Sequence, residues 1–154
     1  MSGTIENRLK ELGVELPSAA APAANYVPFH IFNQQLFISG QIPMIAGAPD
    51  FIGKVGADTD IETARQAAKA CAINILAQAK KALGELDRIQ QCLHLGAFVN
   101  AVADFTDHPE VVNGASDFLV AVLGDKGRHT RFAVGAGSLP RGVAVEIAAL
   151  FAIE

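Results

Sequence analysis

A chain of 154 residues with 51% hydrophobic side chains is long enough for one domain with a sizeable core. Its formal net charge of −4, with no basic run and no interleaving of basic and aromatic residues, disfavours a nucleic-acid partner. The N-terminus MSGTIENRLK is polar and holds no apolar signal segment. No run approaches the roughly 18 apolar residues of a membrane span, so a cytoplasmic protein without a membrane partner is expected.

Residues 4–12 read as a short helix with Ile5, Leu9 and Leu12 on one face and Gly13 as its stop. Residues 17–25 are a Pro/Ala linker. Residues 26–32 and 36–40 read as two strands of a hairpin joined at Asn33-Gln34-Gln35, with Pro28 marking the first as an edge. Lys54-Val55 is read as one further short strand. Residues 60–83 form the clearest helix, opened by a Thr59–Glu62 capping box and closed by Gly84. Its apolar face is Ala64, Ala68, Cys71, Ile75, Ala79 and Leu83. Residues 89–99 are a strand with Leu93, Leu95, Ala97 and Val99 on one side and Cys92, His94, Gly96 and Phe98 on the other. A second helix spans 109–123, with Val111, Ala115, Phe118 and Val122 inward. Strands at about 131–137 and 143–152 finish the chain.

This order predicts a single domain, 1–154, of α+β class: a mostly antiparallel sheet with two helices packed on one face. Residues 1–25 would form the N-terminal helix and the Pro/Ala linker. The opposite sheet face would be left bare and apolar, which predicts self-association. Cys71 and Cys92, without metal-ligand spacing, read as buried free thiols.

The candidate chemistry centres on the last two strands, taken as adjacent. Arg131 opens one of them, and its planar guanidinium fits a carboxylate with two hydrogen bonds; a solvated surface arginine is the plain alternative. Glu146 is the only charge between Val143 and Ile153, set among Ala144, Ala148 and Leu150, where a carboxylate is rare unless paired. Ser39 and Gly40 end a strand and offer a hydroxyl and backbone N–H groups, or simply a bulge. Tyr26 offers a phenol, or an edge anchor. Asn113 reads as a cap-type group near the start of the second helix. His30, His94, His108 and His129 are scattered without ligand or triad spacing, so neither metal nor cofactor is expected.

The stretch LFISGQIP at 36–43, Asn113 within VVNGASDF, and Arg131 followed by Leu139-Pro140 and Val145-Glu146-Ile147 together resemble the RidA/YjgF family. That family is also known as endoribonuclease L-PSP or translation initiation inhibitor. The likeness covers Tyr26 to Ile153; the N-terminal helix, the linker and FTDHPEVVNG mark a less familiar branch. The resemblance implies a chorismate-mutase-like fold, a homotrimer whose sheets form an inner barrel, and a ligand cleft at each subunit interface. It implies hydrolysis of enamine and imine intermediates such as 2-aminoacrylate to 2-oxo acids and ammonia, without metal or cofactor. Arg131 would hold the substrate carboxylate and Glu146 would activate water. Tyr26, Ser39, Gly40 and Asn113 would line the pocket, with Ala133 where familiar members often carry cysteine. Phe132, bulkier than the usual residue, would reshape it. Two other readings remain beside this one: a regulatory protein that binds small carboxylates without turnover, and the ribonuclease of the older family label. An acidic chain supplies little of the basic surface that RNA cleavage needs.

Overall fold

The computed structural model describes residues 3–22 and 24–154; Met1, Ser2 and Ala23, the last within the expected linker, lie outside them. Along the chain run α1 (Thr4–Glu11), β1 (Phe29–Phe32), β2 (Gln35–Gln41), β3 (Met44–Ile45), β4 (Ala48–Pro49), α2 (Ile61–Leu83), β5 (Ile89–Asn100), α3 (His108–Leu123), β6 (Thr130–Ala136) and β7 (Val145–Ile153). The class is α+β. The main sheet is mixed, in the order β1-β2-β7-β5-β6, and β3 with β4 makes a separate ribbon. Three of its pairs are antiparallel, while β5 and β6 are parallel.

The parallel pair has a simple cause. Helix α3 carries the chain from the end of β5 back to its start, so β6 runs in the same direction. This topology also corrects the expectation that the last two strands are neighbours. The central strand β5 pairs with both and separates them.

Helix α2 is the long small-residue helix of the sequence reading, and it lies close on the sheet because Ala64, Ala68, Cys71, Ala72 and Ala79 are fully buried. Its cap differs from expectation. Asp60, not Thr59, accepts the Thr63 N–H at 2.7 Å, while the Thr59 N–H goes to the Lys54 carbonyl at 3.2 Å. A carboxylate at the N-cap makes the stronger, charge-assisted bond, so no Thr59–Glu62 box forms. The expected strand at Lys54-Val55 is reduced to isolated bridges from Val55 to Thr59 and Ala101.

Strand β5 departs from simple alternation. Cys92 pairs with Phe151 and His94 with Leu150, so Leu93 is an extra residue in a bulge. The bulge returns Cys92 to the helix side, beside Leu95, Ala97 and Val99, and away from His94 and Phe98. Both cysteines are free and buried; burial pushes the Cys92 thiol up to about 12. The first strand begins at Phe29, leaving Tyr26 in the bends before it. A proline at position 28 cannot donate to the ladder. The hairpin turn is two residues, Asn33 (φ 52°) and Gln34 (φ 60°), both left-handed without a glycine. Gln34→Gly is therefore expected to stabilise the chain by about 0.5–1 kcal/mol, read as a higher urea midpoint at unchanged slope.

The N-terminal helix is tied to the core. Asp87 accepts the Thr4 and Ile5 N–H groups at 2.8 and 2.9 Å. Ile5 and Leu9 are buried, and Glu6 pairs with Lys80 at 2.9 Å. The other sheet face carries exposed Phe37, Phe98, Phe132 and Val134. Phe132 packs edge-on to Phe98 at 5.3 Å and lies over Gly96, where a Cβ would come within 2.8 Å of its ring. No helix among the described residues is long and apolar enough to cross a membrane.

Candidate functional site

Strand β7 alternates buried and half-buried residues. The buried set, Val145, Ile147, Ala149 and Phe151, faces the helices, so Glu146 points to the bare face. There it stands opposite Phe98 of β5. It has no ion-pair or hydrogen-bond partner among the described residues, and burial alone holds its pKa above the ordinary carboxylate value. Strand β2 makes room for it. The register between β2 and β7 shifts between Ile38 and Gln41, placing a bulge at Ser39-Gly40. A Cβ on Gly40 would stand 2.8 Å from Glu146 Oε1. Glycine is what lets the carboxylate approach the β2 backbone.

Ser39 ties this corner together. Its hydroxyl donates to the Val27 carbonyl at 3.0 Å, and its N–H donates to the Pro28 carbonyl at 3.0 Å. Both bonds fix the segment that presents Tyr26. The phenol of Tyr26 is exposed and lines a cleft of about 290 Å³ with Gly40, Gln41 and Arg141.

Arg131 belongs to a second group. Its Nη1 donates to Ser116 Oγ at 3.0 Å and its Nη2 approaches the Pro109 carbonyl at 3.5 Å. Both partners are on α3, so Arg131 lies on the helix side of the sheet, at the β6 edge. Ala133, two residues along β6, shares that side and packs against the core. Asn113 sits one turn after Pro109 and one turn before Ser116, on the same strip of α3. Within α3 it is not a capping group, because the helix is preceded by Asp107 at its N-cap. Ser116 also bonds His129, Oγ to Nε2, at 2.8 Å, and His129 Nδ1 meets the Gly127 carbonyl at 2.6 Å.

Within one chain the expected residues therefore form two half-sites. Glu146, Gly40, Ser39 and Tyr26 gather at the β2 bulge, with Glu146 on the bare face. Arg131, Ala133 and Asn113 gather under α3, with β5 between the halves. The sequence gives no sign of Ser116 and offers His129 only as one of four scattered histidines, although Ser116 follows Asn113 at helical spacing and His129 precedes Arg131 at strand spacing. Among the described residues no group of three or more His, Cys, Asp or Glu is placed to hold a metal ion.

Comparison with known proteins agrees with this architecture. A family model described as "YjgF/chorismate_mutase-like, putative endoribonuclease" matches residues 6–152. Protein TCP17 of Trypanosoma cruzi is 43% identical over 150 residues, covering 97% of this chain and 94% of its own. The crystal structure of Atu1372 from Agrobacterium tumefaciens, described as of unknown function, superposes with a TM-score of 0.92 at 49% identity, covering 98% of this chain and 93% of that one. A "putative endoribonuclease" from Shewanella oneidensis superposes with a TM-score of 0.95 at 34% identity, over 98% of this chain and 100% of that one.

Proposed function

Because this chain belongs to the YjgF/chorismate-mutase-like family, we propose that it hydrolyses small 2-imino and enamino acids, such as 2-aminoacrylate, to 2-oxo acids and ammonia. The reading places the reaction in clefts shared between the subunits of a homotrimer. Arg131 of one protomer binds the substrate carboxylate, and Glu146 of the next handles the proton. The observation that carries the reading is Glu146: a half-buried carboxylate without a partner among the described residues, its pKa raised, set against a glycine bulge and an apolar face.

The chemistry follows from those two side chains. An enamine tautomerises to an imine whose C2 is already electrophilic, so no covalent nucleophile is needed. Water forms a bond to C2 as Glu146 accepts its proton. The C=N π pair moves to nitrogen, which takes that proton to give the neutral carbinolamine; Glu146 then carries the hydroxyl proton to the amine nitrogen, the C–N bond breaks, ammonia leaves and the C2 carbonyl forms. A carboxylate whose pKa is pushed towards neutrality suits both transfers. Arg131 supplies orientation: its neutral partners leave the guanidinium charge available for an anion.

Two features support the assembly. The bare face presents aromatic and branched side chains around a trough of about 470 Å³ whose lining includes Phe37, His94, Phe98 and Phe132, a surface suited to burial against copies of itself. The two half-sites, parted by β5, acquire a common ligand only across an interface. A net charge of −4 offers little attraction for an RNA backbone, which ranks the ribonuclease reading below this one.

The test is a coupled assay in which a pyridoxal-phosphate dehydratase generates 2-aminoacrylate. The wild-type chain should accelerate 2-oxo acid release, and Arg131→Ala should lose about 10²-fold in kcat/KM. Equal rates with and without the protein would sink the reading. Binding of 2-oxo acids without acceleration would leave a carboxylate-binding protein, and metal-free RNA cleavage lost with Glu146 would restore the ribonuclease.

A further inference from the structure

We infer that His129 and Ser116 are positioning residues that latch Arg131 in the orientation needed to receive a carboxylate; the inference rests on the reading of Arg131 given above. The direction of every hydrogen bond in the chain is fixed by one group. The Gly127 carbonyl can only accept, so His129 carries its proton on Nδ1, 2.6 Å away. Nε2 is then bare and accepts from the Ser116 hydroxyl at 2.8 Å. Ser116 has one proton and has spent it, so its lone pairs are what Arg131 Nη1 meets at 3.0 Å. The polarity runs from Arg131 to Ser116 to His129 to Gly127.

The anchor of this chain is rigid. Gly127 is pressed against α3, where a Cβ would come within 2.5 Å of the Leu119 carbonyl oxygen. Its own carbonyl therefore has little room to move. The other end is deliberately neutral. Arg65 pairs with Glu62 and Asp117, and Arg128 with Asp125. Arg131 instead rests on a hydroxyl and a main-chain carbonyl, so its charge is not cancelled. A guanidinium has five donors. Two are directed at Ser116 and Pro109, and the others remain for a planar anion.

Protonation of His129 would break the latch. Nε2 would become a donor, Ser116 would have to turn its own proton away from His129, and a second positive charge would stand beside Arg131. The charged and titratable groups that act on His129 are Arg131 on β6 and His94 on β5, while Ser116 on α3 offers it a hydroxyl. Burial holds the imidazole below its usual pKa and therefore neutral; the Gly127 bond opposes it, and Arg131 and His94 add to the lowering.

The test uses the full chain and calorimetric titration with 2-oxobutyrate, with its primary amide as the uncharged control. Ser116→Ala should weaken 2-oxobutyrate binding by about 10-fold and leave the amide within about 2-fold, and Ser116→Thr should restore it. In the wild type, binding should fall as the pH drops below the usual imidazole range, whereas His129→Gln should bind weakly with no such fall. Glu146 has the opposite sign, because its protonation removes a negative charge and favours the anion, so it cannot mimic the effect. Nitrogen-15 shifts should show Nδ1 protonated and Nε2 bare at pH 7.5. If Arg131→Ala abolishes binding while Ser116→Ala and His129→Gln match the wild type, the latch is wrong and the cleft reading stands. Equal losses for acid and amide in Ser116→Ala would reduce the pair to scaffolding and overturn the inference. Unchanged binding in Arg131→Ala, or no binding by the wild type, would overturn both.

Discussion

Glu146→Gln is expected to slow 2-aminoacrylate hydrolysis by about 10²–10⁴-fold, the usual worth of a positioned acid–base group, and to stabilise the fold. Glutamine keeps the shape of the side chain and its fit beside Gly40, so a loss of rate would report the lost proton transfer. The stability gain follows from the raised pKa. A group whose folded pKa lies above its unfolded value favours the fold below the unfolded pKa, and that contribution is lost as pH rises through the folded one. At neutral pH the ionised carboxylate is thus a cost. The variant should melt higher near pH 7.5, a gain that shrinks as the pH falls towards the ordinary carboxylate range. A loss of both rate and melting temperature would instead make Glu146 a structural residue, and an unchanged rate would remove it from the chemistry.

The largest effect on folding is expected at Gly114. A Cβ there would stand 2.1 Å from the Arg65 carbonyl oxygen and 2.8 Å from its carbon. Both are main-chain atoms of α2, so no side chain can swing aside. Helices α2 and α3 would have to separate, and the alanine-rich packing beneath α2 has no slack to absorb the shift. Gly114→Ala should cost about 3 kcal/mol or more, lowering the melting temperature by roughly 6–12 °C in a chain of this size. Since α3 also carries Pro109, Asn113 and Ser116, the same displacement should weaken carboxylate binding at Arg131. Gly137→Ala is the matched control: nothing lies within 4 Å of its added Cβ, and it should melt like the wild type. A Gly114→Ala protein of unaltered stability would mean that the interhelical distance is not set by this glycine.

What the sequence made legible was the part carried by periodicity. The small-residue face of α2 and the alternation of β7 announce themselves, and with β7 comes the bare-face position of Glu146. Local geometry was harder. Simple alternation puts Cys92 on the His94 side of β5, but the Leu93 bulge turns it to the helix side, and a bulge leaves no periodic mark. Thr59 and Glu62 read as a capping box, but the next residue, Asp60, is the stronger acceptor and caps α2. Strand order was the largest miss. Arg131 and Glu146 are close in sequence, and consecutive strands often pair. The 16-residue α3 between β5 and β6 was the available sign of a parallel crossover that would set β6 beside β5. Ser116 and His129 stayed hidden because a serine on a helix and a histidine before a strand are ordinary until the fold brings them to Arg131.

The separation of Arg131 from Glu146 makes subunit mixing the most direct test of a shared cleft. Arg131→Ala and Glu146→Gln chains would be unfolded together, refolded as a one-to-one mixture, and assayed for 2-aminoacrylate hydrolysis. If Arg131 of one protomer works with Glu146 of the next, random trimers leave roughly a quarter of the clefts with both side chains intact, and about a quarter of wild-type activity should return. Activity no higher than that of either variant refolded alone, with mixed trimers demonstrably present, would contradict a cleft built from two chains.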